Sequence, residues 1–94
     1  MDRALSQADI YAIPQFPAQD FIVDFAILLE SGQRIAVECD GERWHSSAQA
    51  RKRDGWKTHC LHRAGWTVIR FTGKEIDETL PGCIDRIKEL IETL

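Results

Sequence analysis

The sequence lacks most of the features that mark specialised classes of protein. No apolar run approaches the roughly 20 residues that a membrane-spanning helix needs, and the opening Met1-Asp-Arg-Ala has no signal-peptide character. The three cysteines form an odd set with long spacings, which fits neither a disulfide framework nor zinc-binding pairs. Repeats and low-complexity segments are absent from the 94 residues. These absences predict one domain spanning residues 1–94 in a reduced, cytoplasmic protein without a membrane partner.

Positive charge is scarce overall, because 12 lysines and arginines face 15 aspartates and glutamates, for a formal net charge of −3. This balance argues against a non-specific DNA coat. The cations are nevertheless concentrated between residues 43 and 63, where six lysines and arginines accompany a single carboxylate, that of Asp54. A basic segment within an acidic chain is typical of a protein that binds a phosphate-bearing ligand.

The most informative stretch is RIAVECDGERWH, residues 34–45. Its strand-like run ends in two carboxylates, Glu38 and Asp40, and His45 follows five residues after the second. Carboxylates so close together imply a bound cation. A nearby histidine, which titrates near neutral pH, indicates chemistry on a water molecule.

A third carboxylate joins the first two only if the hairpin has the right register. Asp24 lies in the apolar run of residues 21–29, where an ionised side chain costs several kcal/mol unless a cation meets it. A three-residue turn ending in Gly32 puts Asp24 opposite Glu38, whereas a two-residue turn would put it opposite Cys39. Because directly opposed like charges destabilise a sheet, the first register predicts a cation site.

The hydrophobic pattern predicts the order αβββαβα, an α/β (α+β) fold with a central mixed four-stranded sheet flanked by helices. The expected elements are a helical stub at 1–8, strands at 9–14, 21–29, 34–40 and 66–72, and helices at 46–64 and 81–94. Pro14 and Pro17 are interpreted as breakers after the first strand. Trp56, Cys60 and Ala64 follow one helical row and are predicted to face the core. The last strand follows a helical crossover, so it should join the sheet as a parallel or mixed neighbour.

This order, with Asp on the second strand and Glu-x-Asp on the third, resembles the PD-(D/E)XK nuclease superfamily and its restriction-endonuclease-like core. The stretch Asp40-Gly-Glu-Arg-Trp-His45 is similar to the His-Gly-x-x-Trp-His of the very-short-patch repair (Vsr-like) endonuclease branch. The wider pattern of residues 38–54, followed by Gly65-Trp66 and Arg70, is similar to Vsr-like domains at the C-terminus of some large helicase-like proteins. The resemblance covers about residues 15–75.

The resemblance implies a Mg2+- or Mn2+-dependent endonuclease that hydrolyses DNA phosphodiester bonds with metal-activated water. The implied metal ligands are Asp24, Glu38, Asp40 and the backbone carbonyl of Cys39, and His45 would orient or deprotonate the attacking water. Asp40 occupies the place of the motif's Lys, so charge stabilisation falls to Arg53, Lys57 or the metal ion. The aromatic that wedges against DNA bases corresponds to Trp44. With the basic residues of the following helix it gives the predicted nucleic-acid surface: Trp44, Arg51, Lys52, Arg53, Lys57 and Arg63.

Two alternatives compete with the nuclease. One is a binding module of the same fold that positions DNA for a partner helicase. This alternative is favoured because the family usually has a Glu on a helix before the first strand, and here only Asp2 lies in that place. We expect this helix to be incomplete, in a domain cut from a longer protein. The other is an RNA-processing domain of similar fold, since similar-looking domains with a Val-Asp and a Glu-x-Asp-Gly-x-x-His pattern occur in RNA-binding proteins. No residue here is recognisable as a reader of the 2′-hydroxyl, so the sequence does not distinguish DNA from RNA.

Overall fold

The computed structural model describes residues 1–40 and 48–94, with the side chains of residues 1–39 and 52–94. The elements follow the predicted order with one additional helix: α1 (Asp2–Gln7), β1 (Ile13–Ala18), β2 (Phe21–Leu28), β3 (Arg34–Asp40), α2 (Ala48–Arg63), β4 (Trp66–Thr72), α3 (Gly73–Glu78) and α4 (Leu80–Thr93). Within this part of the chain, no helix is long and apolar enough to cross a membrane.

The four strands form one mixed sheet in the order β1-β2-β3-β4. The first three strands are antiparallel neighbours, and β4 runs parallel to β3. The parallel pairing follows from the helical crossover α2, which returns the chain to the edge of the sheet in the direction of β3. The fold class predicted from the sequence is therefore confirmed.

The hairpin between β2 and β3 has the register that the three-residue turn predicts. Phe25 lies opposite Val37, and the N–H of Leu29 donates to the carbonyl of Gln33 at 2.9 Å. Gly32 closes the turn with φ +94°, a left-handed conformation that glycine adopts without a Cβ clash. Continued by one residue, this register places Asp24 of β2 opposite Glu38 of β3.

Two hydrophobic clusters cover the two faces of the sheet. Helices α1 and α4 pack on one face, in a cluster that includes Leu5, Ile35, Val37, Phe71 and Ile87. Helix α2 packs on the other face, in a smaller cluster of Ala18, Val23, Ala26, Ala36, Leu61 and Trp66. Since even-numbered residues of β3 face α2, Glu38 emerges on the side of the sheet that this helix covers.

The first strand begins later than predicted, because β1 runs Ile13–Ala18 and contains Pro14 and Pro17 instead of ending at them. This strand lies at the sheet edge, where a residue without an N–H donor is tolerated. The prediction also missed α3, which Thr72 and Glu75 open as a capping box: the Glu75 N–H donates to Thr72 Oγ1, and the Thr72 N–H donates to Glu75 Oε1. That Thr-x-x-Glu spacing is recognisable in the sequence.

Helix α2 is turned relative to the prediction, and the expected core position of Trp56 is wrong. Trp56 is 63% exposed, while Leu61 is fully buried. The rotation is set by polar contacts to the sheet, because the Arg70 guanidinium donates to the Thr58 hydroxyl and to the carbonyl of Asp54. These contacts turn the Asp54–Thr58 side of the helix inward and leave Trp56 in solvent.

The end of α2 is anchored to the same sheet. Gly65 follows the helix with φ +91°, as a C-terminal glycine commonly does. The Arg34 guanidinium donates to the Ala64 carbonyl and lies 5.0 Å from the centroid of the Trp66 ring, a cation–π distance. Helix α2 is thereby fixed over β3, which determines what its inner side chains meet.

Candidate active site

Asp24 reaches from β2 to the backbone of β3. Its Oδ2 accepts a hydrogen bond from the Cys39 N–H at 2.7 Å. This contact lies just beyond the Phe25–Val37 pair in the antiparallel register. The carboxylate of Asp24 is therefore fixed beside Glu38, as the hairpin register predicts.

The strand that carries Asp24 departs from simple alternation at this point. Val23 and Ala26 both belong to the cluster beneath α2, although strict alternation would put them on opposite faces. On β1, Gln15 has φ +50°, and its two neighbours pair with the residues on either side of Asp24. A left-handed conformation costs a residue other than glycine roughly 1–2 kcal/mol, and such strain is concentrated at functional sites.

Glu38 is the buried charged residue of the described core, with 4% of its surface exposed. Its Oε1 lies 2.9 Å from Lys57 Nζ, an ion-pair distance. The same oxygen accepts no hydrogen bond of good geometry from the described residues. The ammonium of Lys57 donates instead to the carbonyl of Ile22 at 2.9 Å. The result is a buried carboxylate oxygen that is compensated by charge but receives no hydrogen bond from the described part of the chain.

Burial raises the pKa of Glu38 above its ordinary value, and the charge of Asp24 raises it further. The positive charges of Lys57 and Arg70 lower the pKa of Glu38 and so offset part of this rise. Arg70 pairs with Glu38 in the register of the parallel strands β3 and β4. Arg70 is not among the site residues that the sequence predicts. Only the parallel pairing of β4 with β3 shows that its side chain and that of Glu38 share a face.

The raised pKa of Glu38 predicts a pH dependence of stability in metal-free buffer. Between the unfolded value, about 4.5, and the higher folded value, the folded protein binds more protons than the unfolded protein. The contribution of Glu38 is therefore fully present below the unfolded pKa and is lost as pH rises through the folded pKa.

Urea unfolding of wild type and Glu38→Gln across pH 4–8 checks this expectation. The free energy of unfolding should decline more steeply with rising pH in wild type than in the variant. Glu75→Gln is the matched control of opposite sign, since the Thr72 N–H lowers the pKa of Glu75, and its contribution is lost as pH falls. A decline that persists unchanged in Glu38→Gln would contradict the assignment.

The structure brings together only part of the predicted site. Asp24, Glu38, the backbone of Cys39 and Lys57 converge at the junction of β2, β3 and α2. Lys52, Arg53 and Arg63 are exposed along α2. The other predictions lie outside the described residues or side chains: the side chains of Asp40 and Arg51, and the residues Trp44 and His45.

The donor set fits a hard divalent cation. Magnesium prefers oxygen ligands, and proteins usually supply one or two carboxylates while waters and a substrate phosphate complete the shell. Asp24 and Glu38 are such a pair, and Glu38 Oε1 is buried without a hydrogen bond from residues 1–39 or 52–94. Among the described side chains no group of three or more His, Cys, Asp and Glu could hold a metal. The predicted third carboxylate, Asp40, is not among those side chains.

Comparison with known proteins finds a related sequence and a solved structure of the same fold. It is 41% identical over 63 residues to the uncharacterized protein YcjD of Escherichia coli (strain K12), an alignment that covers 67% of this chain and 49% of that protein. The match thus spans about half the length of that relative. The catalytic domain of the homing endonuclease I-Bth0305I has the same fold, with a TM-score of 0.66 and 24% identity over 97% of this chain and 84% of that domain.

A family model decides the assignment. The model of the REase_MTES_1575 family matches residues 1–91, almost the full length of the chain. Together with the mixed sheet and its flanking helices, this match supports a nuclease with a nucleic acid substrate. The chain belongs to the REase_MTES_1575 family of restriction endonuclease-like domains.

Proposed function

We propose that this chain is a divalent-metal-dependent endonuclease domain that hydrolyses DNA phosphodiester bonds. The observation that carries the proposal is the buried Glu38 carboxylate beside Asp24, faced by the ammonium of Lys57. Burial and the neighbouring charge of Asp24 both disfavour ionisation of Glu38 and raise its pKa unless cations compensate it. Because the chain belongs to a restriction endonuclease-like family, we interpret these carboxylates as catalytic residues. Within that family we favour Vsr-like chemistry, because Trp44-His45 follows Asp40 at the spacing of the Vsr-like motif His-Gly-x-x-Trp-His.

The proposed metal ligands are the carboxylates of Asp24 and Glu38, with Asp40 and the Cys39 carbonyl as the sequence predicts. Bound there, Mg2+ or Mn2+ would lower the pKa of a coordinated water and neutralise charge on the phosphate. The Cys39 N–H holds Asp24 Oδ2, which fixes the orientation of that carboxylate before substrate binds. Preorganisation of this kind is what a catalytic constellation requires.

Lys57 takes the charge-stabilising role that the motif's Lys would have filled from the strand. Its ammonium is held between Glu38 Oε1 and the Ile22 carbonyl, so it is oriented without substrate. A fixed cation beside the carboxylates stabilises negative charge that develops on the phosphoryl oxygens. His45 is the proposed proton acceptor for the attacking water, a role that suits an imidazole near neutral pH.

The outer side of α2 is the proposed DNA contact. Lys52, Arg53 and Arg63 are exposed on it, and neutralising phosphates with such residues makes binding fall with salt. We propose DNA over RNA because the family is restriction endonuclease-like. A helicase domain in the same parent protein stays a prediction from the sequence.

Incubation with supercoiled plasmid, single-stranded DNA and RNA tests the proposal, each with Mg2+, with Mn2+ and with EDTA. DNA should be nicked or cut with either metal and left intact in EDTA. A protein that binds these substrates and cleaves none would be a binding module. Cleavage confined to RNA would support the RNA-processing alternative.

A further inference from the structure

Trp56 and His59 form an aromatic surface on the outer side of α2. Their ring centroids are 5.7 Å apart with an interplanar angle of 31°, a tilted arrangement within the distance range of interacting aromatic pairs. Trp56 is 63% exposed, whereas Trp66 on β4 is 4% exposed. The fold therefore uses the ring of Trp66 for packing and leaves that of Trp56 available.

This aromatic surface lies within a cationic stripe. Lys52, Trp56, His59 and Arg63 follow one another at i, i+4, i+7 and i+11, the spacing of one helical face, and all four are exposed.

The stripe also lies next to the proposed catalytic groups. Lys57 is the neighbour of Trp56 in sequence, and its side chain points to Glu38. Consecutive helical residues are turned by about 100° around an axis whose helix is roughly 10–12 Å wide with side chains. A nucleotide held on Trp56 would therefore have its strand close to the carboxylate site.

We propose that this stripe binds a single-stranded segment of the DNA substrate, with an unstacked base resting on Trp56 and His59. The inference rests on the proposed function and narrows its substrate class. A base in a duplex is already stacked on both faces, so an exposed ring attracts mainly unpaired bases. Stacking tolerates every base because each has a π-face, and Lys52 and Arg63 lie on either side to meet the flanking phosphates.

Fluorescence anisotropy in EDTA, with labelled oligothymidylate and a duplex of equal length, measures binding without cleavage. Trp56→Ala should weaken single-strand binding roughly 5- to 150-fold, the effect of losing one stacked base, and duplex binding by less than about twofold. Trp56→Phe should keep most of the affinity. The salt slope should stay as in wild type in Trp56→Ala and shrink by about 1 in Lys52→Ala. Tyr11→Ala, which removes an 82% exposed aromatic elsewhere, should change nothing.

Several results would overturn the inference. They are wild-type affinity in Trp56→Ala, equal losses for single strand and duplex, and full affinity in Trp56→Leu, which is apolar but cannot stack. A dimer in sedimentation that Trp56→Ala dissociates would assign the stripe to self-association instead. Urea unfolding verifies that each variant is folded. Because EDTA excludes cleavage, a protein that binds single strands through Trp56 yet cleaves no DNA with metal would overturn the nuclease and leave this inference standing.

Discussion

Glu38→Gln should remove most of the DNA cleavage while the protein stays folded and binds DNA. The substitution keeps the shape of the side chain but takes away the negative charge that would hold the metal. We expect the single-turnover rate to fall by roughly 10²–10³-fold or more, the range found when one electrostatic contact to a transition state is lost. Asp24→Asn should be at least as damaging, because it removes the other carboxylate while an amide oxygen still accepts from the Cys39 N–H.

Matched controls separate a local effect from a general loss of negative charge. Glu30→Gln and Asp20→Asn make the same chemical changes at exposed positions and should cleave like wild type. Anisotropy in EDTA should give DNA affinities for Glu38→Gln within a few fold of wild type. Cleavage by both Glu38→Gln and Asp24→Asn within about threefold of the wild-type rate would remove these carboxylates from the chemistry.

Lys57→Met should destabilise the protein because it leaves Glu38 buried without its main cationic partner. We expect a loss of roughly 2–3 kcal/mol in the free energy of unfolding at pH 7, below the 3–5 kcal/mol typical of breaking a fully buried pair. The reduction reflects the Lys57 side chain, which keeps 19% of its surface in solvent. Glu38→Gln alone should be close to neutral, because it removes the desolvated charge itself.

The double variant Glu38→Gln/Lys57→Met completes a thermodynamic cycle, measured by urea unfolding. It should recover most of the stability lost in Lys57→Met, since no uncompensated charge is left. Residues in direct contact commonly show coupling of about 0.5–3 kcal/mol, whereas independent sites add within about 0.5 kcal/mol. Simple additivity of the two substitutions would show that the 2.9 Å approach of Lys57 to Glu38 contributes nothing in solution. Lys52→Met, at an exposed position of the same helix, is the control.

The position of the two carboxylates could be predicted from the sequence because local rules determine it. A three-residue turn ending in glycine sets the hairpin register, and the register sets which side chains face one another. Gly32 adopts the expected left-handed conformation, and Asp24 reaches β3 next to Glu38. The parallel addition of β4 followed equally from the helical crossover.

The contacts of α2 could not be predicted in the same way. A 3.6-residue period gives the spacing of a helical face but not which face turns toward the sheet when two faces carry apolar residues. The face that turns inward carries the contacts of Arg70, whose bonds to Thr58 and Asp54 come from β4, the strand that follows the helix. The helical period alone therefore predicts Trp56 in the core, whereas in the structure its side chain lies in solvent. The ion pair between Lys57 and Glu38 depends on that same rotation of the helix.

The first strand was misjudged for a different reason. Proline is a reliable breaker within a central strand, but an edge strand has one side free of ladder hydrogen bonds. Pro14 and Pro17 lie within β1 at such an edge. The sequence does not show which strand will be outermost until the whole sheet order is known.

The most direct test of the account is Mn2+ titration of the isotopically labelled protein, followed by NMR of the backbone amides. Paramagnetic broadening at substoichiometric Mn2+ should begin at Asp24, Glu38 and Cys39, the residues that surround the proposed site, and should disappear there in Asp24→Asn. Broadening centred instead on exposed acids of α3 and α4, such as Asp77 and Asp85, with the Asp24 and Glu38 amides unaffected, would contradict a metal centre at the junction of β2 and β3.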